Sequence, residues 1–278
     1  MDFAKQVLIQ TIEFITFTRK MHTGQVCQSL VPLRREPFDR SEMVSQLLFG
    51  ETFRVIEDYK NWLRISTTFD NYEGWIDRKL VAALQELPAQ SQHTVTNHIV
   101  HATKTGDMYP IILSPGSELH CYNPSNQSFA IANRSYTLSE RPIIGNEMSV
   151  RDKVVTLAKQ YVNTPYLWGG RSAFGIDCSG LVQVTLKMVG INMPRDAYQQ
   201  VSIGETIDFP SMAAPGDLAF FDNEDGAIIH VGIIAEGLSI IHSSGYVRID
   251  KLDQQGIFNI DSNSYSHKLR VIKRVVKA

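Results

Sequence analysis

YLWGGRSAFGIDCSGLVQ, residues 166–183, holds one of only three cysteines in a chain of 278 residues. A glycine-bearing loop runs into Asp177, and an apolar run with helical spacing comes after it. Leu181, Thr185 and Met188 form one row, Val182, Leu186 and Val189 the next, and Gly190 suits the C-terminal end. Asp177 is a good N-cap residue, so Cys178 falls in the first turn of the predicted helix. There the unpaired N–H groups and the positive end of the helix favour an anion, which predicts a lowered thiol pKa and an activated sulfur. A buried, inert cysteine is the alternative that one residue leaves open.

A nucleophilic cysteine needs a base. Of the eight histidines, His230 opens the strand-like run HVGIIAE (230–236) and His242 lies in the next, SIIHSS (239–244). Each is six residues from Glu236. A turn centred there sets the two opposite each other on one face of a hairpin, and a slipped turn leaves them diagonal but still in reach. One imidazole then serves as base while the other orients it. Two core histidines, or a metal site shared with Cys178, are the competing readings. Zinc usually takes more closely spaced pairs and a fourth ligand, which is not evident here, so no metal or other cofactor is expected. Spacing alone leaves catalysis and structure both open.

The rest of the chain supplies the setting. Its length predicts two or three domains. A net charge of −2 gives no electrostatic reason to expect nucleic acid or an acidic membrane as partner. Three widely spaced cysteines, Cys27, Cys121 and Cys178, without a CxxC, argue against a disulfide framework and fit a reducing compartment. No secretory leader is read at the N-terminus, and no apolar stretch reaches bilayer length. The cytoplasm is the expected location, and a monomer the expected state.

Residues 1–20 sit apart from the strand-rich segment after them and are read as an extension. Residues 21–86 read as short strands punctuated by Gly and Asp, as in FRVIED, WLRISTTFD and DNYEGWID, which suggests a small barrel. QELPAQSQ (85–92) has the composition of a linker. Residues 87–147 repeat the barrel flavour without a shared motif. From 148 to 278 the character changes. SVRDKVVTLAKQYV places Val150, Val154, Leu157, Ala158 and Tyr161 on one helical face behind Ser149 as N-cap. Helices followed by an antiparallel meander give an α+β domain of catalytic type.

The order YLWGGRSAFGIDCSGLV, PGDLAFF, HVGII, IIHSS resembles the NlpC-type cysteine peptidases of bacterial cell-wall peptides, a branch of the papain-like class, over roughly residues 149–276. SEMVSQLLFGE and YEGWID resemble the first SH3-like barrel of a narrower subgroup, the γ-D-glutamyl-L-diamino-acid endopeptidases, whose members carry two such barrels before the peptidase domain. The resemblance implies Cys178 as nucleophile, His230 as general base and His242 as orienting residue. It implies that Tyr166 places its hydroxyl near the oxyanion, and that Asp177 and Ser179 contact the substrate's amine and D-Glu carboxylate. Asp196 in PRDAYQQ fits the family's loop, whereas Ala197 stands where many relatives have Ser. That loss weakens one hydrogen bond, worth about 0.5–1.5 kcal/mol. Glu42 and Tyr72 match the first barrel's amine-binding pair, each with a structural alternative as a solvated charge and a barrel core residue. Trp168 lines the cleft or packs. The implied substrate is a murein peptide with a free L-Ala amine, cut after D-Glu and before meso-diaminopimelate or L-Lys. An inactive wall-peptide-binding module, or a thioester-forming amidase or acyltransferase, are the alternative functions.

Overall fold

The structure is a computed structural model that describes residues 21–89, 93–142 and 148–276. The expected extension, residues 1–20, lies outside the described residues.

The first barrel is a seven-stranded antiparallel sheet. Its strands are β1 (Thr23–Val26), β2 (Leu30–Arg34), β3 (Met43–Leu48), β4 (Thr52–Tyr59), β5 (Trp62–Thr67), β6 (Glu73–Asp77) and β7 (Val81–Leu84), in the order β3-β2-β6-β5-β4-β1-β7. In β5 every second residue is buried, the period that a strand with one core face requires. Val31, Leu33, Leu47, Phe53, Leu63, Ile65 and Ile76 fill the interior. The second unit is a four-stranded sheet of β8 (Val100–Lys104), β9 (Ile111–Leu113), β10 (Ser128–Ile131) and β11 (Arg134–Leu138). Its core takes in Cys27 and Phe49 from the first barrel, and the Phe49 ring meets Tyr136 edge-on at 5.3 Å. Units this small bury too little surface alone, and sharing a core offsets that.

The third domain begins with α1 (Val150–Lys159), capped by the Ser149 side chain on the Asp152 N–H. Of the predicted face, Val154, Leu157, Ala158 and Tyr161 are buried, but Val150 is exposed because the first turn precedes the core contact. The short pair β12 (Arg171–Ser172) and β13 (Gly175–Ile176) leads into α2 (Cys178–Met188). A one-turn helix, α3 (Ala197–Gln200), comes next, then β14 (Glu205–Ile207), β15 (Leu218–Asp222), β16 (Ile228–Ala235), β17 (Ser239–Ser244), β18 (Tyr246–Leu252), β19 (Gly256–Asn259) and β20 (Ser264–Arg274). The meander runs β14-β20-β15-β16-β17-β18-β19, and β19 also pairs with β20, so β15 to β20 close on themselves. Closure removes free sheet edges. One apolar cluster (Ala219, Phe221, Ile234, Ile240, Leu252, Ile257, Ile272) sits on one side of this sheet, and α1 and α2 pack on the other.

α2 is central: every residue from Cys178 to Lys187 is buried. Its two long polar side chains are therefore answered by other units. Gln183 Nε2 donates to Asp70 in the first barrel at 2.7 Å. Lys187 Nζ reaches Glu51 Oε1 of the first barrel at 2.6 Å and Glu118 Oε1 of the second unit at 2.9 Å. Arg171 forks onto both oxygens of Glu51, each at 3.0 Å. One buried ionic cluster thus joins all three parts of the chain and fixes α2 against them.

Candidate active site

Asp177 caps α2 by accepting from the Gly180 N–H at 2.7 Å, as its position predicts, and Cys178 is the first helical residue. The Asp177 carboxylate does more than cap. It also accepts from the Gly169 N–H at 2.9 Å, from Arg195 Nη1 at 3.0 Å and Nη2 at 2.6 Å, and from the Ser179 hydroxyl at 3.3 Å. Both oxygens are thus engaged by protein donors, and Asp177 holds the turn at Cys178 together. Ser179 in turn receives Arg195 Nη1 at 2.9 Å. Arg195, 1 % exposed, ties the nucleophile turn to the first barrel through Ser45 Oγ at 3.0 Å. Sequence reasoning missed it.

The loop before the nucleophile is pressed from the same side. Gly169 has φ +76°, and a Cβ there would lie 2.4 Å from the Met43 carbonyl oxygen of β3, so only glycine permits this approach. Next to it Trp168, 62 % exposed, donates Nε1–H to Glu42 Oε1 at 2.8 Å. Glu42 also pairs with Arg35 at 2.9 Å. From the same barrel the Tyr72 hydroxyl meets Asp196, at the start of α3, 3.2 and 3.4 Å from its two oxygens. Burial pushes the half-buried Asp196 carboxyl above its usual range despite the adjacent Arg195. Ala197 is buried behind it. First-barrel residues Glu42 and Tyr72 thus meet catalytic-domain residues Trp168 and Asp196 in two cross-domain contacts.

Helix α2 packs against β16, and the backbone of Val231, the residue after His230, is among the groups that favour the Cys178 thiolate. The expected fall in the thiol pKa is not found. Burial first, and the Asp177 carboxylate second, push Cys178 up to about 12, outweighing the backbone donors and Arg195. Desolvation and the charge of the capping residue itself override the pull of the helix end on the thiolate. His230 moves the other way, held well below its usual range by burial and by the two histidines beside it. The shifts of both groups thus favour the neutral thiol and the neutral imidazole. Tyr166 lies close enough that Cys178 and Asp177 add to burial in pushing its phenol up to about 12. It stays protonated, a donor at every physiological pH.

His230 Nε2 and His242 Nδ1 are 2.9 Å apart. The hairpin reaches this by the slipped register. Ile233 pairs with Ile241 and Ala235 with Ser239, so the turn centres on Gly237, and Gly237 and Leu238 both adopt positive φ. His242 then lies across from Gly232, and His230 is its diagonal neighbour. A Cβ on Gly232 would stand 2.9 Å from the His242 Cβ; its absence lets the ring lean over to His230.

Two further side chains, neither anticipated, complete the cluster. His242 Nε2 is 3.1 Å from Asp250 Oδ2, and His267 of β20 stacks on His230 with ring centres 4.1 Å apart. Burial holds His267 down to about 4, so it adds no charge against the neighbouring base. Asp250 had a readable signal: it sits across from Ile240, two residues before His242, and thus on His242's face.

A thiol at the start of a helix packed against an antiparallel sheet that carries paired histidines is the papain-like arrangement, the chemistry of a thiol hydrolase. Comparison with known proteins narrows this class. Residues 163–264 match the NlpC/P60 family, and residues 33–79 match the bacterial dipeptidyl-peptidase Sh3 domain. Dipeptidyl-peptidase 6 of Lysinibacillus sphaericus is 30 % identical over 258 residues, covering 83 % of this chain and 92 % of that protein. Gamma-D-glutamyl-L-lysine dipeptidyl-peptidase of Bacillus subtilis is 27 % identical over 212 residues, 72 % of this chain and 71 % of that protein. The crystal structure of an NlpC/P60 family protein from Bacillus cereus shares the fold, with a TM-score of 0.76 at 20 % identity over 92 % of this chain and 100 % of that one. The chain belongs to the NlpC/P60 family, and it is a cysteine peptidase of cell-wall peptides.

Proposed function

We propose that this peptidase hydrolyses the bond between the γ-carboxyl of D-Glu and an L-diamino acid, meso-diaminopimelate or L-Lys, in murein peptides with a free N-terminal L-Ala. It releases L-Ala-D-Glu and serves the recycling of wall peptides in the cytoplasm, a location in keeping with its three unpaired cysteines. One observation carries the reading: Tyr72 of the first barrel reaches Asp196 of the catalytic domain. The half-buried carboxylate held there by the Tyr72 hydroxyl suits an ammonium group, and a blocked amine would forgo that charge pairing at a partly desolvated site. Trp168 and Glu42 add a second acidic contact between the barrel and the nucleophile loop. The name of the Bacillus subtilis relative, a gamma-D-glutamyl-L-lysine dipeptidyl-peptidase, agrees with this substrate class.

In the proposed mechanism His230 takes the proton of Cys178 as sulfur attacks the γ-carbonyl, because the resting pair is neutral. The oxyanion is met by the Cys178 N–H, which has no intrahelical acceptor at the first position of α2, and by the Tyr166 hydroxyl. His230 returns the proton to the leaving amine. Water, deprotonated by the same histidine, then cleaves the thioester. The test presents L-Ala-γ-D-Glu-diamino-acid tripeptides with free and with acetylated N-termini to the purified protein and reads products by mass spectrometry. The free peptides should yield L-Ala-D-Glu and the acetylated ones nothing. Equal cleavage of both would remove the amine requirement.

A further inference from the structure

The relay behind the base does not end at His242. Asp250 is 3 % exposed and sits on β18. Its Oδ2 faces His242 Nε2 at 3.1 Å, and its Oδ1 accepts from Arg248 Nη2 at 3.0 Å. The Arg248 Nε lies 2.7 Å from Oδ2. Arg248 is itself held from outside by Asp261 at 2.8 Å. Burial alone would push the Asp250 carboxyl up, but the bonds from His242 and Arg248 overcome it and hold the group below its usual range, so it is ionised and can only accept.

We infer that Asp250 is a positioning residue that sets the proton pattern of the whole histidine pair, an inference that rests on His230 being the base. A carboxylate with no proton obliges His242 to carry its proton on Nε2. His242 Nδ1 is then a bare acceptor, so the 2.9 Å contact requires His230 to hold its proton on Nε2. That leaves His230 Nδ1 with a lone pair, the state in which it can take the thiol proton. When it does, the new imidazolium still donates Nε2–H along the same line, and the buried carboxylate two bonds away stabilises its charge. No proton has to move along the relay. Arg248 keeps the carboxylate in place and charged.

The test has two readouts. Nitrogen-15 NMR of the intact protein reports which ring nitrogen of each histidine carries the proton. In the wild type His230 and His242 should both be protonated on Nε2, and a His230 protonated on Nδ1 overturns the inference without any variant. Kinetics then compare D250N, D250A and D250E on the free-amine tripeptide. D250N and D250A should lose about 10²–10⁴-fold in kcat with KM little changed, by analogy with a triad whose carboxylate is neutralised. D250E should recover at least part of the loss. Full kcat in D250N, or a loss matched by a rise in KM and a lower melting temperature, marks Asp250 as merely structural. A wild type inactive on the tripeptide would sink the proposed substrate while leaving the tautomer readout intact.

Discussion

Lys187 Nζ, one residue from the end of the nucleophile helix, lies 2.6 Å from Glu51 Oε1 of the first barrel. Residues 136 positions apart are thereby locked together out of contact with water. Removing one partner strands the others, which costs about 3–5 kcal/mol for buried pairs. Glu51→Ala, leaving Lys187 to Glu118 and the Arg171 guanidinium to the Gln46 carbonyl among the described residues, should lower the urea midpoint by a corresponding amount. A change under about 0.5 kcal/mol, the size expected of surface sites, would show that the cluster is not coupled to folding.

The same cluster sets an acid limit. Burial would raise the Glu51 carboxyl, yet Arg171 and Lys187 bring it from 4.5 down to about 2. A carboxylate depressed in the folded state contributes stability that is complete above its unfolded value and is lost as pH falls through the folded one. The chain should therefore lose stability progressively from about pH 4.5 towards 2, and E51Q should lose less over that window. Equal slopes for the two proteins in acid titrations of the unfolding free energy would contradict this.

The thiol makes a separate prediction. With Cys178 pushed up to about 12 and His230 held down, the free enzyme should hold thiol and neutral imidazole rather than an ion pair. Iodoacetamide labelling, mapped to the Cys178 peptide by mass spectrometry, should accelerate steadily with pH through 9. A reactive plateau below pH 7 would establish a preformed thiolate. Cys178→Ala should abolish turnover and leave the melting temperature unchanged within a few degrees.

Gly232 permits the imidazole contact by having no side chain. Gly232→Ala places a methyl carbon 2.9 Å from the His242 Cβ and 2.6 Å from the Ile240 Cδ1. Overpacking of this kind costs about 1–3 kcal/mol, and the His242 ring must retreat from His230. Both stability and kcat should fall. A variant with normal kcat would show that His230 keeps its orientation without His242.

Local signals and long-range pairings divide what is legible in the sequence from what is not. The start of α2 is readable because Asp177, the apolar rows after it and Gly190 are local signals. The histidine hairpin is readable too, but its register is displaced: Gly237 and Leu238, both at positive φ, carry the turn, and Glu236 precedes its centre. Arg195, His267 and the Glu51–Arg171–Lys187–Glu118 cluster are not readable. Each depends on pairings between segments far apart in the chain, and a lone charge or histidine in a strand carries no mark of its partner. The thiol departs from expectation because its pKa depends first on burial, which local sequence does not report, and only then on the adjacent Asp177 carboxylate.

Under the proposed mechanism the oxyanion donors and the amine site should separate in kinetics. Burial, with Cys178 and Asp177, keeps the Tyr166 phenol protonated, so Tyr166→Phe removes the proposed donor while leaving the sulfur and the imidazoles in place. Loss of a single such donor typically costs about 10²–10³ in kcat, with little effect on KM when the contact forms only in the transition state. Asp196→Asn acts on the other end of the substrate. It should raise KM for free-amine tripeptides and spare kcat, since the amine is remote from the reacting carbonyl. Y72F, which withdraws the hydroxyl from Asp196, should shift KM the same way by a smaller factor. If Y166F instead raised KM alone, or D196N lowered kcat alone, the two ends of the site would have been assigned the wrong way round.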